Sequence, residues 1–377
     1  MNSLLDLKQT PFLVAINLFM LILNYLTMSS AIRYPYKVSL RQRRFSFILV
    51  ILFCLFSFWG ADWFHYAEKY TLMVEDYQTT IESVYYFIAK HLSPNYLAFR
   101  AVIWGGGLLL LFFTLKRLNI NLDVFLLVFG SIWIIYFSYA RVSLAMSVLF
   151  YGSSFLIKPI HKNHILSYIL GIVLVFVSVF FHKTALWGVG IVLLSVLTNR
   201  LGKKAVLFSV FLFPLLVFFT RSILIDFMAS GFDAEEGLIE SYASFGQTYL
   251  DRASVERGLG STLQRVFEVV PLYLLAFMTL GKGDNSRSGA MSFEKRFFYR
   301  VLFYCVLLSS VFLFDSGMNT RVVYIRFIRF AFIPASIVLS DLIEQNQSIR
   351  YTRFLFYSAF FGSLYTILYM AYCSFMN

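Results

Sequence analysis

The chain is predicted to fold as an all-α polytopic integral membrane protein, on three observations. Hydrophobic residues fill 59% of its 377 positions and charged residues 14%, where a soluble domain carries about 25% charge. Mean hydropathy is +0.73. The apolar residues gather in runs of mostly 15 to 20, divided by short basic or mixed segments. That length suits helices crossing roughly 30 Å of hydrocarbon, and the pattern is unlike the alternating strands of a barrel.

About twelve transmembrane helices are expected, near 11–30, 46–60, 96–115, 122–138, 142–157, 165–181, 184–198, 205–219, 262–280, 297–313, 322–341 and 354–373, in a single domain spanning 1–377. The first run follows Asp6, Lys8 and Gln9 and has no small-residue cleavage signal behind it, so it is expected to be a retained helix and not a signal peptide. Loops 31–45, 116–121, 158–164, 199–204, 281–296 and 342–353 carry 18 Lys and Arg, while the opposite, longer set of segments carries 9. By the positive-inside rule the first set is expected to be cytoplasmic, with both termini outward. The opposite set holds 14 of the 20 acidic residues. A net charge of +12 is then topogenic, with membrane lipids as its partners and no nucleic acid. Cys54, Cys305 and Cys373 lie in or at the end of apolar runs, as small apolar side chains would, and imply no disulfide or metal framework.

Along the chain, Arg33 to Arg44 is the most basic stretch and reads as topogenic charge. Outer loop 61–95 is too long for a connector. It contains DWFHYAEKY, an expected amphipathic helix from Thr79 to His91, and Pro94, and its many aromatics argue against disorder. Gly105, Gly106 and Gly107 in the third helix would let a neighbouring helix approach closely. Outer loop 220–261 has glycines at 231, 258 and 260 among others and a cluster of acids, and would suit a lid over an external site. Late in the chain, charges enter the apolar runs: Arg265 with Glu268, three residues apart on one face, then Arg300, Arg321, Arg326 and Arg329. Arginines at such depth face a bundle interior or a wet cavity, as ligand contacts or as structural pairs.

The most pointed feature is Tyr139-Ala140-Arg141-Val142-Ser143, a polar break between two apolar runs with almost no loop to hold a guanidinium. Such a charge needs an anion or a carboxylate opposite it, or must snorkel to lipid phosphate. His182 sits in a second tight turn on the same expected side, as a turn-stabilising group or a functional one. Soluble-enzyme signatures are missing: there is no P-loop, no GxGxxG after a strand, no HExxH and no nucleophile elbow. What remains is an outer-face constellation of Asp62, His65, Glu82, Arg141, His182 and Arg321, with Arg326 deeper. Arginines would hold phosphates and a carboxylate or imidazole would handle a proton. Asp62, His65 and Glu68 stand at three-residue spacing, too thin a pattern to expect a metal. No cofactor is expected.

The order D-W-x-x-Y from Asp62, E-S-V-Y-Y-F from Glu82, N-Y-L-A-F from Asn95, Y-A-R-V-S-L-A from Tyr139 and F-F-H-K-T-A-L from Phe180 resembles the EpsG-like family of Wzy-type polysaccharide polymerases. The resemblance covers roughly residues 1–340. It departs at Val142, where the family commonly has Gln. It implies a fold similar to the GT-C type membrane glycosyltransferases and a site on the periplasmic or exterior side of a bacterial inner membrane. It further implies a membrane glycosyltransferase that moves an undecaprenyl-diphosphate-linked oligosaccharide onto another lipid-linked repeat unit, for capsule, exopolysaccharide or O-antigen. A chain-length regulator and a flippase are the partners that the resemblance implies. On that reading Arg141 holds the diphosphate with Arg321 and Arg326 in support, His65 and Tyr66 contact substrate, and Asp62, Glu82 and His182 are unranked candidates for the base that takes the acceptor proton. A flippase or other transporter, or a related polyprenyl-donor transferase or ligase, stays open as an alternative.

Overall fold

The computed structural model describes residues 40–56, 60–77, 81–133, 140–160, 164–201, 206, 208–219, 259–279, 292–311, 324, 327–344 and 353–362, with a few isolated positions near either end. Among the described residues the chain is helical and contains no strand. Helix α1 is Leu40–Phe56 and α2 is Gly60–Val74. Helix α3, Ser83–Phe87, runs on into a π turn at Ile88–Leu92. Helix α4 is Tyr96–Arg117, with a π turn at Ala101–Gly105 inside it. Helix α5, Leu122–Val128, continues as a π turn at Phe129–Trp133. Then come α6 Ala140–Ile157, α7 His164–Phe181, α8 Ala185–Leu201, α9 Phe208–Phe219, α10 Leu259–Thr279, α11 Phe293–Ser310, α12 Phe332–Glu344 and α13 at 353–362.

Two of these, Tyr96–Arg117 and His164–Phe181, are long and apolar enough to cross a bilayer unaided, and Arg141–Ile157, Ala185–Arg200, Phe208–Phe219 and Val269–Thr279 are shorter apolar helices. Helix α7 shows why the surrounding solvent is hydrocarbon. Its small or narrow residues Ser167, Gly171, Val175 and Ser178 are buried against the bundle, while Ile165 and Phe180 are 77% and 71% exposed. That is the inside-out arrangement of a membrane helix: small residues at the contact, bulk toward lipid. The contact is close. A Cβ on Gly152 of α6 would lie 2.8 Å from the Val175 backbone nitrogen, and one on Gly171 would lie 2.7 Å from Leu156 Cδ2.

Helices α6, α11 and α12 form the centre. Positions 142–150 of α6, 297–306 of α11 and 332–343 of α12 are all buried, as expected of helices apolar around their whole circumference. Several serine hydroxyls in these helices turn inward on their own backbone: Ser147, Ser153 and Ser336 donate to the carbonyls of Ser143, Leu149 and Phe332.

The reversals are chemically explicit. Helix α4 begins with Asn95, whose side chain accepts from the Ala98 amide at 2.8 Å, and ends with Asn119 in the left-handed region at φ 56°. There the Ile120 amide donates to the Leu115 carbonyl and the Asn119 amide to Lys116, satisfying two of the carbonyls a helix end leaves over. Asn121 then caps α5 through the Asp123 amide.

Several expectations change. Helix α1 starts near Leu40, so Arg41, Arg43 and Arg44 belong to the helix. The segment DWFHYAEKY, expected as loop, lies in α2: Ala67, Tyr70 and Met73 recur at helical spacing and are buried, which outweighs the charges between them. The amphipathic helix expected over Thr79–His91 starts at Ser83. No helix approaches at Gly105 or Gly106: among the described residues, a Cβ at either would meet nothing within 4 Å. The close crossing is at Gly152 and Gly171. Most of the first expected span, loop 220–261 as far as 258 with its lid, and the side chains of Arg265 and Glu268 lie outside the described residues, while 259–261, expected as loop, open α10.

Candidate functional site

The site is assembled at the end of the bundle where α2, α3, α6 and the α7–α8 turn meet. Arg141 stands in the first turn of α6. Its Nη1 donates to Glu82 Oε2 at 2.9 Å and its Nε donates to the Tyr66 hydroxyl at 2.8 Å, with the guanidinium carbon 5.6 Å from the centre of the Tyr66 ring. The side chains of Arg141 and Glu82 are 22% and 14% exposed, a pair mostly removed from solvent. Two of the three guanidinium nitrogens are thus fixed, and Nη2 makes no hydrogen bond among the described residues. A planar fork held by two of its edges can still present its third to a planar or tetrahedral oxyanion.

Glu82 shows how the local sequence builds this. It occupies the N-cap of α3, where a side-chain oxygen commonly accepts from the helix's own first amides, but it makes no such bond. Its carboxylate is turned to Arg141, 59 residues on. Tyr66 lies on α2, immediately before the buried Ala67 and one turn before the buried Tyr70, whose hydroxyl donates to the Ser93 carbonyl at 2.8 Å. Rings of Tyr70, Tyr96 and Phe99 cluster behind it. The short helices of segment 61–95 are therefore anchored, and they carry Tyr66 and Glu82 to Arg141.

Tyr85, one turn after Glu82, was not singled out by the sequence. It is 0% exposed, and its hydroxyl donates to the Phe181 carbonyl at 3.0 Å, with the Arg141 carbonyl 3.5 Å away at the limit of a hydrogen bond. Burial, with Glu82 next in order, holds its phenol well above the ordinary tyrosine range, so it stays a neutral donor. The only signal for it in the sequence is its place three residues after Glu82 in E-S-V-Y-Y-F, on one helix face.

His182 follows Phe181 directly. Its Nδ1 accepts from the Thr184 amide at 3.1 Å and faces the Thr184 hydroxyl at 2.9 Å. An amide can only donate, so Nδ1 is the unprotonated nitrogen and Nε2 carries the proton of the neutral ring. His182 thus stabilises its turn through Nδ1.

The other expected residues are placed less fully. Asp62 and His65 are on α2, one turn and one residue before Tyr66, and their side chains lie outside the described residues. Arg321 and Arg326 lie outside them altogether. Among the deep basic residues that are described, Arg100 is 2% exposed beside Phe99, with its guanidinium carbon 4.0 Å from the Trp104 ring centre, Arg329 lies just before α12, and a further group sits at the opposite end. Arg300 donates to the Thr198 carbonyl and Arg117 to that of Lys158. Arg200 donates to the Tyr168 hydroxyl at 3.1 Å, and Lys295 pairs with Asp341, which also accepts from Tyr299 at 2.9 Å. These contacts join segments that the charge count had put on one side, as the Arg141 cluster joins segments from the other.

A family model described as the EpsG family matches residues 40–376, most of the chain and all five of the motifs named above. The chain belongs to the EpsG family. EpsG is a Wzy-like polymerase family, so this EpsG family protein is a membrane protein of polysaccharide biosynthesis. Among curated proteins and among solved structures, none matches it.

Proposed function

We propose that this EpsG family protein is a polysaccharide polymerase that transfers a glycan from undecaprenyl diphosphate to a sugar hydroxyl of a second lipid-linked repeat unit, outside a bacterial inner membrane spanned about twelve times. The observation that carries this reading is the Arg141 guanidinium, fixed by Tyr66 and Glu82 with Nη2 left over, at the end of the bundle where the family motifs converge. In the transfer, the acceptor hydroxyl oxygen bonds to the anomeric carbon, the bond from that carbon to the diphosphate oxygen breaks, and the hydroxyl proton passes to a base. Charge grows on the departing diphosphate, and donors aimed there lower the barrier without a nucleotide.

Arg141 Nη2 and the His182 Nε2–H are assigned to that diphosphate, with Arg321 and Arg326 adding positive charge. Glu82 is assigned to holding Arg141. His182, with its proton on Nε2, is a donor in this scheme and not the base. Asp62, one turn before Tyr66, is then the residue proposed to take the acceptor proton, and His65 is proposed to contact the sugar. The test is Arg141→Ala in cells making the polymer: chain growth stops while single repeat units still reach the outer face. Polymer of normal length in that variant would sink the reading, and repeat units stranded on the inner face would favour a flippase.

A further inference from the structure

One short helix touches the site three times. From α3, the Glu82 carboxylate takes the Arg141 side chain, and the Tyr85 hydroxyl sits between the Arg141 carbonyl and the Phe181 carbonyl. Phe181 is the last residue of α7, where carbonyls have no partner within the helix and must find one outside. The residue after it is His182. The Tyr85 ring is wedged in place, meeting Phe99 and Phe181 edge-on with centroids 6.4 and 6.5 Å away. Helices α3 and α7 are in contact, so the hydroxyl bridges elements that already touch. A phenylalanine would fill the same aromatic space. Helices α6 and α7 already pack on each other, and what the hydroxyl adds is a polar link between the α6 start and the last carbonyl of α7.

We propose that Tyr85 is a positioning residue of the site: its hydroxyl fixes the α6 start and the α7–α8 turn relative to each other, so that Arg141 and His182 address one anionic headgroup together. The spacing of two donors decides whether both reach oxygens of the same diphosphate, and an error of about 1 Å costs of order a hundredfold in rate. The inference rests on the polymerase reading for its kinetic consequence and on geometry alone for its structural one.

Two measurements on Tyr85→Phe in bilayer nanodiscs separate these. The first is hydrogen exchange, which needs no substrate. The amides of Ala185 and Trp187, which donate to His182 and Thr184, should exchange several-fold faster in the variant, with the unfolding midpoint little changed because the ring is kept. Unchanged exchange at these amides overturns the proposal, whatever the protein's reaction. The second is turnover of the lipid-linked repeat unit isolated from a deletion strain. Here kcat should fall about tenfold with KM within twofold, the size of one lost hydrogen bond expressed in the transition state. The same substitution in a His182→Ala background should cost under threefold, because its effect runs through the histidine. A full tenfold loss in that background would make Tyr85 a stability residue only, and overturns the proposal. If Arg141→Ala polymerises normally, the polymerase reading fails by itself and the exchange result still decides the placement of Tyr85.

Discussion

At the scale of single residues, the Arg141 cluster sets a measurable hierarchy. Exposed ion pairs contribute about 0–1 kcal/mol, and breaking a fully buried one costs about 3–5 kcal/mol. With side-chain exposures of 22% and 14%, the Arg141–Glu82 pair lies between. Glu82→Gln keeps the volume and an acceptor oxygen but removes the charge, and is expected to cost about 2 kcal/mol. Tyr66→Phe removes one neutral acceptor while keeping the ring under the guanidinium, and is expected to cost about 1 kcal/mol. Denaturant titration of the two variants in detergent checks the order; equal stability of Glu82→Gln and wild type would mean that the pair is solvated. Arg141 itself was legible in the sequence because a guanidinium between two apolar runs is costly anywhere. Glu82 and Tyr66 were legible as members of the same outer site but not as its direct partners, since they lie 59 and 75 residues away and nothing local in either selects position 141. Tyr85 was less legible still, because a tyrosine in a membrane-protein loop reads first as an interface anchor.

At the scale of elements, the glycines make opposite predictions. Gly152 and Gly171 hold the crossing of α6 and α7, where added side-chain atoms would press on backbone. Gly171→Leu is expected to force the helices apart, costing at least the 1–3 kcal/mol of an overpacked core and lowering the yield of folded protein on size-exclusion chromatography. Gly105→Ala is expected to be neutral or stabilising by up to about 1 kcal/mol, because the backbone there is already helical at φ −62° and a Cβ meets nothing within 4 Å. Reading the three consecutive glycines as one close-approach face does not hold at Gly105 or Gly106, whereas Gly107 is buried. The π turn at Ala101–Gly105 inserts an extra residue and rotates the rest of the helix by roughly 100°, a change no apolar periodicity announces. Long apolar runs were far easier to read. The expected spans 142–157 and 165–181 correspond to Ala140–Ile157 and His164–Phe181, because lipid demands an unbroken helix wherever the chain is apolar. Charged segments such as Gly60–Val74 were harder, because there tertiary contacts decide the structure.

At the scale of the whole molecule, contacts among the described residues gather polar and charged groups into two clusters at opposite ends. Tyr66, Glu82, Arg141 and His182 gather at one; Arg117, Lys158, Arg200, Lys295, Arg300 and Asp341 at the other. The sequence's count of Lys and Arg produced the same partition without any contact, because charge next to a span is sorted during insertion, before the bundle forms. Lys183 at the first end and Lys116 at the second are both exposed and suit a test of which end faces outward. With Cys54 and Cys373 replaced by alanine, and Cys305 left in place because it is 0% exposed, Lys183→Cys should react in intact cells with a thiol reagent that cannot cross the membrane. Lys116→Cys should react only after the membrane is opened. The reverse pattern would put Arg141 on the cytoplasmic side, where the end with more basic charge ought to be, and the proposed transfer outside the membrane would lose its site.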